Sequence, residues 1–93
     1  MKGLHFKKFE GGLYQFQFYV GDFFVPVEET LVQELKTHIH RPPDEFLKLI
    51  VEKLGHNSYL RNAIQEAINE ANDPSDLAKI LLIELQSLDK KTL

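Results

Sequence analysis

The strongest constraint on the fold is a change of hydrophobic period near Val27. Before it, aromatic and β-branched residues alternate with other side chains; after it, apolar residues return every three or four positions. Six of the seven Phe and two of the three Tyr precede residue 28. Aromatic side chains suit a pleated, half-buried surface. The first 27 residues are therefore predicted to form a sheet and the rest a set of helices.

Three strands are predicted, over residues 2–9, 13–20 and 23–27. Glu10-Gly11-Gly12 suits a three-residue hairpin connection, which sets Phe9 opposite Leu13, Phe6 opposite Phe16 and Leu4 opposite Phe18. Gly21-Asp22 suits a two-residue turn with Gly first, which sets Val20 opposite Phe23, Phe18 opposite Val25 and Phe16 opposite Val27. The two turns agree on one apolar face: Leu4, Phe6, Tyr14, Phe16, Phe18, Val20, Phe23, Val25 and Val27. A slip of one residue scatters that set, so the agreement supports the register. Lys8 is the misfit, placed near a hairpin end where its stem can lean outward. Pro26 falls on an edge strand, where a missing N–H is tolerated.

Four helices follow. The first is predicted over residues 28–40, with Leu31, Val32, Leu35 and Ile39 on one stripe and Glu28 and Glu29 at its positive end. Arg41-Pro42-Pro43 stops it, because the residue before a proline avoids the helical region. The second covers residues 43–54, with apolar residues on more than one face and Gly55 as C-cap. The third covers residues 58–71, capped by Asn57 or Ser58, with a stripe of Leu60, Ala63, Ile64, Ala67, Ile68 and Ala71. The fourth starts at Asp73-Pro74-Ser75-Asp76, where a cap, a proline at the first helical position and an early acid coincide. Its Ile80-Leu81-Leu82-Ile83 run predicts a central helix. The expected fold is α+β: a three-stranded antiparallel β-meander followed by about four α-helices packed on one face of the sheet. With 93 residues and no linker or repeat, one domain is expected, as a β-meander over 1–27, a helical part over 28–89 and a frayed tail over 90–93.

Composition removes several function classes. The chain has no Cys, so it forms no disulfide, thiolate zinc site or cysteine nucleophile. No stretch of 18 apolar residues exists to span a bilayer, and the first residues lack the apolar run of a secretory signal, so a cytoplasmic location is expected. No Gly-rich phosphate loop or nucleophile elbow is present. Ser58, Ser75 and Ser87 all read as caps or helix-surface residues. Asp44, Asp73 and Asp76 sit at helix starts, and Glu66 and Glu70 read as a solvated helix face, so no carboxylate pair is poised for acid–base work. Glu34 and His38 share a helix face as metal ligands often do, although His38 and His40 are also favoured by a helix C-terminus without any metal. No enzyme, cofactor, metal site or small-molecule ligand is expected on these residues.

What remains is surface. The second sheet face carries His5, Lys7, Phe9, Leu13, Gln15, Gln17, Tyr19 and Phe24. Such a mixed face is either covered by a helix or the tail, or left open as a partner surface. The partner-binding candidates are Lys7, Phe9, Leu13, Gln15, Gln17, Tyr19 and Phe24. Residues 1–27 carry a net charge of +1 and residues 28–93 a net charge of −4. The sheet is thus the one region open to nucleic acid, but it holds no Arg and only three Lys, which disfavours that use. The first and third strands are both edges, able to pair with a partner or a second copy, and Pro26 blunts the third. A small non-enzymatic protein–protein interaction module, a regulator, adaptor or inhibitor, is the expected class; nucleic-acid binding through the sheet face, and a metal or enzyme site at Glu34 and His38, are the alternatives.

Overall fold

The computed structural model describes residues 3–8 and 16–88. Its elements are β1 (Leu4–Lys8), β2 (Phe16–Val20), β3 (Phe23–Val27), α1 (Glu29–Lys36), α2 (Pro43–Leu54), α3 (Ser58–Glu70) and α4 (Pro74–Ser87). The strands form one antiparallel sheet in the order β1-β2-β3, followed by the helices. This is the α+β architecture that the change of period predicts.

The β2–β3 register is the expected one, with Val20 opposite Phe23, Phe18 opposite Val25 and Phe16 opposite Val27. Gly21 has φ 60°, and no described non-glycine residue has positive φ, so the turn is type II′ with Gly at its first central position. The β1–β2 register differs from expectation by two residues. Leu4 lies opposite Val20, Phe6 opposite Phe18 and Lys8 opposite Phe16. A slip of two leaves every side chain on its own face, so alternation could not detect it. The observed pairing is pinned at its far end, where the Gly21 N–H donates to the Gly3 carbonyl at 2.9 Å. It also brings the Phe6 and Phe18 rings to 4.9 Å. The expected Glu10-Gly11-Gly12 turn, with Phe9, Leu13, Tyr14 and Gln15, lies outside the described residues.

The Gly21–Gly3 bond also fixes which way each amide points. Backbone groups of a strand alternate between its two sides. Gly3, His5 and Lys7 therefore bond to β2, while Leu4, Phe6 and Lys8 turn their amides to the outer side of β1. By the same alternation Phe23, Val25 and Val27 bond to β2, and Phe24 and Pro26 turn outward. Pro26 thus lacks an N–H only where no ladder bond would use it.

On the inner face Leu4, Phe6, Phe16, Phe18, Val20 and Val27 are buried. They meet Val32, Leu35, Phe46, Ile50, Leu54, Ile64, Ala78, Leu81 and Leu85, all fully buried, in one core. Phe23 departs from the expected core set: it sits at the turn and keeps 36% of its surface exposed. α4 touches α1, α2, α3 and β1, and α3 packs on β2. Ala78, Leu81 and Leu85 give α4 its buried stripe, which the C-cap Leu88 continues. α4 is the central helix that the Ile80–Ile83 run predicts, although Ile80 and Ile83 themselves point away from that stripe and are exposed.

The caps follow the sequence closely. The Asn57 side chain accepts from the Leu60 N–H at 2.8 Å, and Asp73 accepts from the Ser75 N–H at 3.0 Å with Pro74 as the first helical residue. α1 is shorter than expected, ending at Lys36. The Thr37 hydroxyl donates to the Glu34 carbonyl at 2.6 Å, and His38 to His40 form a succession of turns before the prolines. Gly55 follows α2 as expected but has φ −87° rather than a left-handed value. Its glycine identity answers a close approach instead: a Cβ there would lie 2.5 Å from the Val51 carbonyl oxygen.

Candidate interaction surface

β1, β2 and β3 place the described candidates on the outer face in two cross-strand rows. One row is His5, Tyr19 and Phe24; the other is Lys7, Gln17 and Pro26. Phe9, Leu13 and Gln15, also expected to bind a partner, lie outside the described residues. Of the two alternatives for this face, cover by a helix is not what the described residues show: Lys7 and Phe24 are exposed and Tyr19 is half-buried. α4 reaches only the margin, through His5.

The side chains are held against one another. The Tyr19 and Phe24 rings lie 5.2 Å apart at 38°, a tilted arrangement favoured by the ring quadrupoles. The Lys7 Nζ sits 4.9 Å from the Tyr19 ring centroid, a cation–π distance. The Tyr19 hydroxyl donates to Gln17 Oε1 at 3.0 Å. Gln17 itself is 8% exposed, so its expected role as an open contact is corrected. Flanked on its own face by Lys7 and Pro26, it orients Tyr19 instead. The result is a small preset platform of Lys7, Tyr19 and Phe24, whose groups lose little further rotamer freedom on binding.

The two sheet edges are unlike. The Glu84 carboxylate, from α4, accepts the outward Phe6 N–H at 2.9 Å through Oε1, and its Oε2 lies 2.9 Å from His5 Nδ1. The expectation of a partly open first edge is therefore corrected, because α4 closes it. β3 is the terminal strand on the other side, and no described helix packs along it as α4 does along β1.

A further surface escaped the sequence reading. Tyr59, on the outer side of α3, is 74% exposed, and its ring lies 6.0 Å from that of Phe23. Beside them runs a cleft of about 540 Å³ floored by Ala63 and bounded by Asn62 and Glu66. The one available signal was that Tyr59 falls off the apolar stripe of α3 while being aromatic.

Glu34 and His38 are engaged elsewhere. Lys53 Nζ lies 2.8 Å from Glu34 Oε2. That hydrogen bond and the Lys53 charge hold the Glu34 carboxyl below its ordinary pKa and push Lys53 above its own. His38 Nδ1 accepts from Arg41 Nε at 2.8 Å. Among the described residues no three His, Asp or Glu side chains converge as metal ligands, and no helix is long and apolar enough to cross a membrane. Comparison of the chain with family models, curated proteins and solved structures finds no match.

Proposed function

We propose that the chain is a small, non-enzymatic protein–protein interaction module of the cytoplasm, a regulator, adaptor or inhibitor that binds through the outer sheet face. The observation that carries this reading is the platform of Tyr19 and Phe24, with rings 5.2 Å apart and Lys7 braced over Tyr19. Exposed aromatic pairs on a rigid sheet supply large contact area at low entropic cost, and aromatic residues are enriched among binding hot spots. A single Lys beside the rings favours a protein partner over a nucleic acid, which calls for several phosphate-directed cations.

The test couples capture with stability. A photoreactive amino acid at position 24 should cross-link a defined partner in the native host, and Tyr19→Ala should reduce that yield by about tenfold, the effect of a modest hot spot. The variant should unfold within about 1 kcal/mol of the parent, since Tyr19 is only half-buried. Unchanged cross-linking in Tyr19→Ala, or cross-linking to oligonucleotides that weakens steeply with salt, would overturn the reading.

A further inference from the structure

The helical side of the domain carries a small cavity that the outer-face reading does not use. We infer that it binds a free α-amino acid with a branched aliphatic side chain, held at once by its side chain, its ammonium and its carboxylate. The cavity, of about 250 Å³, lies between α2, α3 and the start of α4. Helical periodicity puts Asp44, Leu47, Lys48 and Val51 on one strip of α2, facing Gln65 and Ile68 of α3. Leu47 and Val51 are buried and Ile68 is half-buried, and these three form the apolar wall. An apolar cavity of about 150 Å³ accepts benzene, and drug-sized ligands take about 300–1,000 Å³. The volume here lies between, and suits one aliphatic side chain with a small polar head.

The rim carries one charge of each sign. Asp44, Lys48 and Gln65 line the cavity and are exposed. Asp44 and Lys48 stand at i,i+4 with the acid first, the order that most favours an ion pair along a helix. They form none, and among the described residues the side chains of Asp44, Lys48 and Gln65 make no hydrogen bond or ion pair. Two neighbouring charges on α2 do find partners, Glu45 with Arg41 at 3.4 Å and Lys53 with Glu34 at 2.8 Å. The cavity is therefore flanked by an unmet carboxylate and an unmet ammonium, whose Cβ atoms stand about 5–6 Å apart at this spacing.

That combination selects the occupant. A free α-amino acid brings the complement on a single carbon: an ammonium for Asp44, a carboxylate for Lys48 and the Gln65 amide, and an apolar side chain for the wall. A fatty acid would set its carboxylate against Asp44, and an aliphatic amine would set its ammonium against Lys48. A residue inside a partner's chain brings the side chain and neither charge. The zwitterion answers all three features.

The probe is L-leucine, titrated into the full chain and followed through its backbone amide resonances. Leu47, Lys48, Gln65 and Ile68 should shift saturably with a Kd of about 1 mM, while Lys7, Tyr19 and Phe24 stay still. Glycine, which lacks the side chain, should give no saturation below about 20 mM. Leucinamide keeps only the ammonium and isocaproate only the carboxylate, and each should bind about threefold more weakly than leucine, the effect of one exposed ion pair. Lys48→Met should weaken leucine about threefold and leucinamide not at all; Asp44→Asn should weaken leucine about threefold and isocaproate not at all. Both positions are exposed, so both variants should melt as the parent does. No saturable shift with leucine, equal binding of glycine, or a Lys48→Met variant that weakens leucinamide as much as leucine would overturn the proposal. So would N-acetyl-leucinamide binding as tightly as leucine, which would give the cavity to a side chain of a partner protein. The outer-face reading is tested separately, by Tyr19→Ala, and neither failure implies the other.

Discussion

Removing the Glu84 carboxylate should loosen β1 before anything else. Glu84 lies 78 residues along the chain from Phe6, yet its Oε1 accepts the Phe6 N–H at 2.9 Å. A hydrogen bond to a charged group contributes about 1.5–3 kcal/mol. The Glu84 side chain is 27% exposed, so water can replace part of the bond, and Glu84→Ala should cost about 1–2 kcal/mol. In a domain of this size that lowers Tm by about 4–8 °C for each kcal/mol. Glu84→Gln keeps a neutral acceptor and should cost about half as much. Amide hydrogen exchange is the decisive assay because it reads one bond. Global destabilisation speeds the Phe6 and Phe18 amides by the same factor. Loss of the specific acceptor should speed Phe6 about tenfold more than Phe18, equivalent to about 1.4 kcal/mol of local opening. If the two amides accelerate together in Glu84→Ala, α4 does not hold the strand through this carboxylate and the reasoning fails.

Two other substitutions test the fold. Gly55→Ala places a Cβ 2.5 Å from the Val51 carbonyl oxygen and 3.0 Å from Arg61 Cβ, so the α2–α3 corner must shift. The steric cost of about 1–3 kcal/mol exceeds the 0.4–1 kcal/mol gained from a stiffer unfolded chain, and denaturant melts should show a net loss of about 1–2 kcal/mol. The Glu34–Lys53 pair should give a pH-dependent difference between parent and Glu34→Gln. The lowered Glu34 pKa contributes stability above its ordinary value of 4.5, lost as pH falls through the folded value; the raised Lys53 pKa contributes below 10.5, lost as pH rises through its folded value. The Tm gap between the two proteins should therefore close on acidification below pH 4.5, and a gap that persists there refutes the assignment.

Local chemistry made much of this fold legible. The Gly21-Asp22 turn, the Asn57 and Asp73 caps and the alternating strand faces each depend on a few adjacent residues, and the structure shows all of them as expected. The misreadings share a different origin. Alternation is blind to a two-residue slide, so the β1 register needed the Gly21–Gly3 bond to decide it. The length of α1 depended on a Thr37 hydroxyl competing for a backbone carbonyl. At the candidate site, Lys7, Tyr19 and Phe24 were placed correctly on the outer face. The burial of Gln17 on the outer face and the meeting of Phe23 with Tyr59 depended on neighbours across the fold, which no local pattern encodes.

The unequal edges of the sheet have a consequence for assembly. α4 packs along β1, whereas among the described residues no helix packs along β3 in the same way. Propagation into a filament requires two sticky ends on every unit. Among the described residues this sheet therefore offers a single edge, that of β3, at which a further strand could pair.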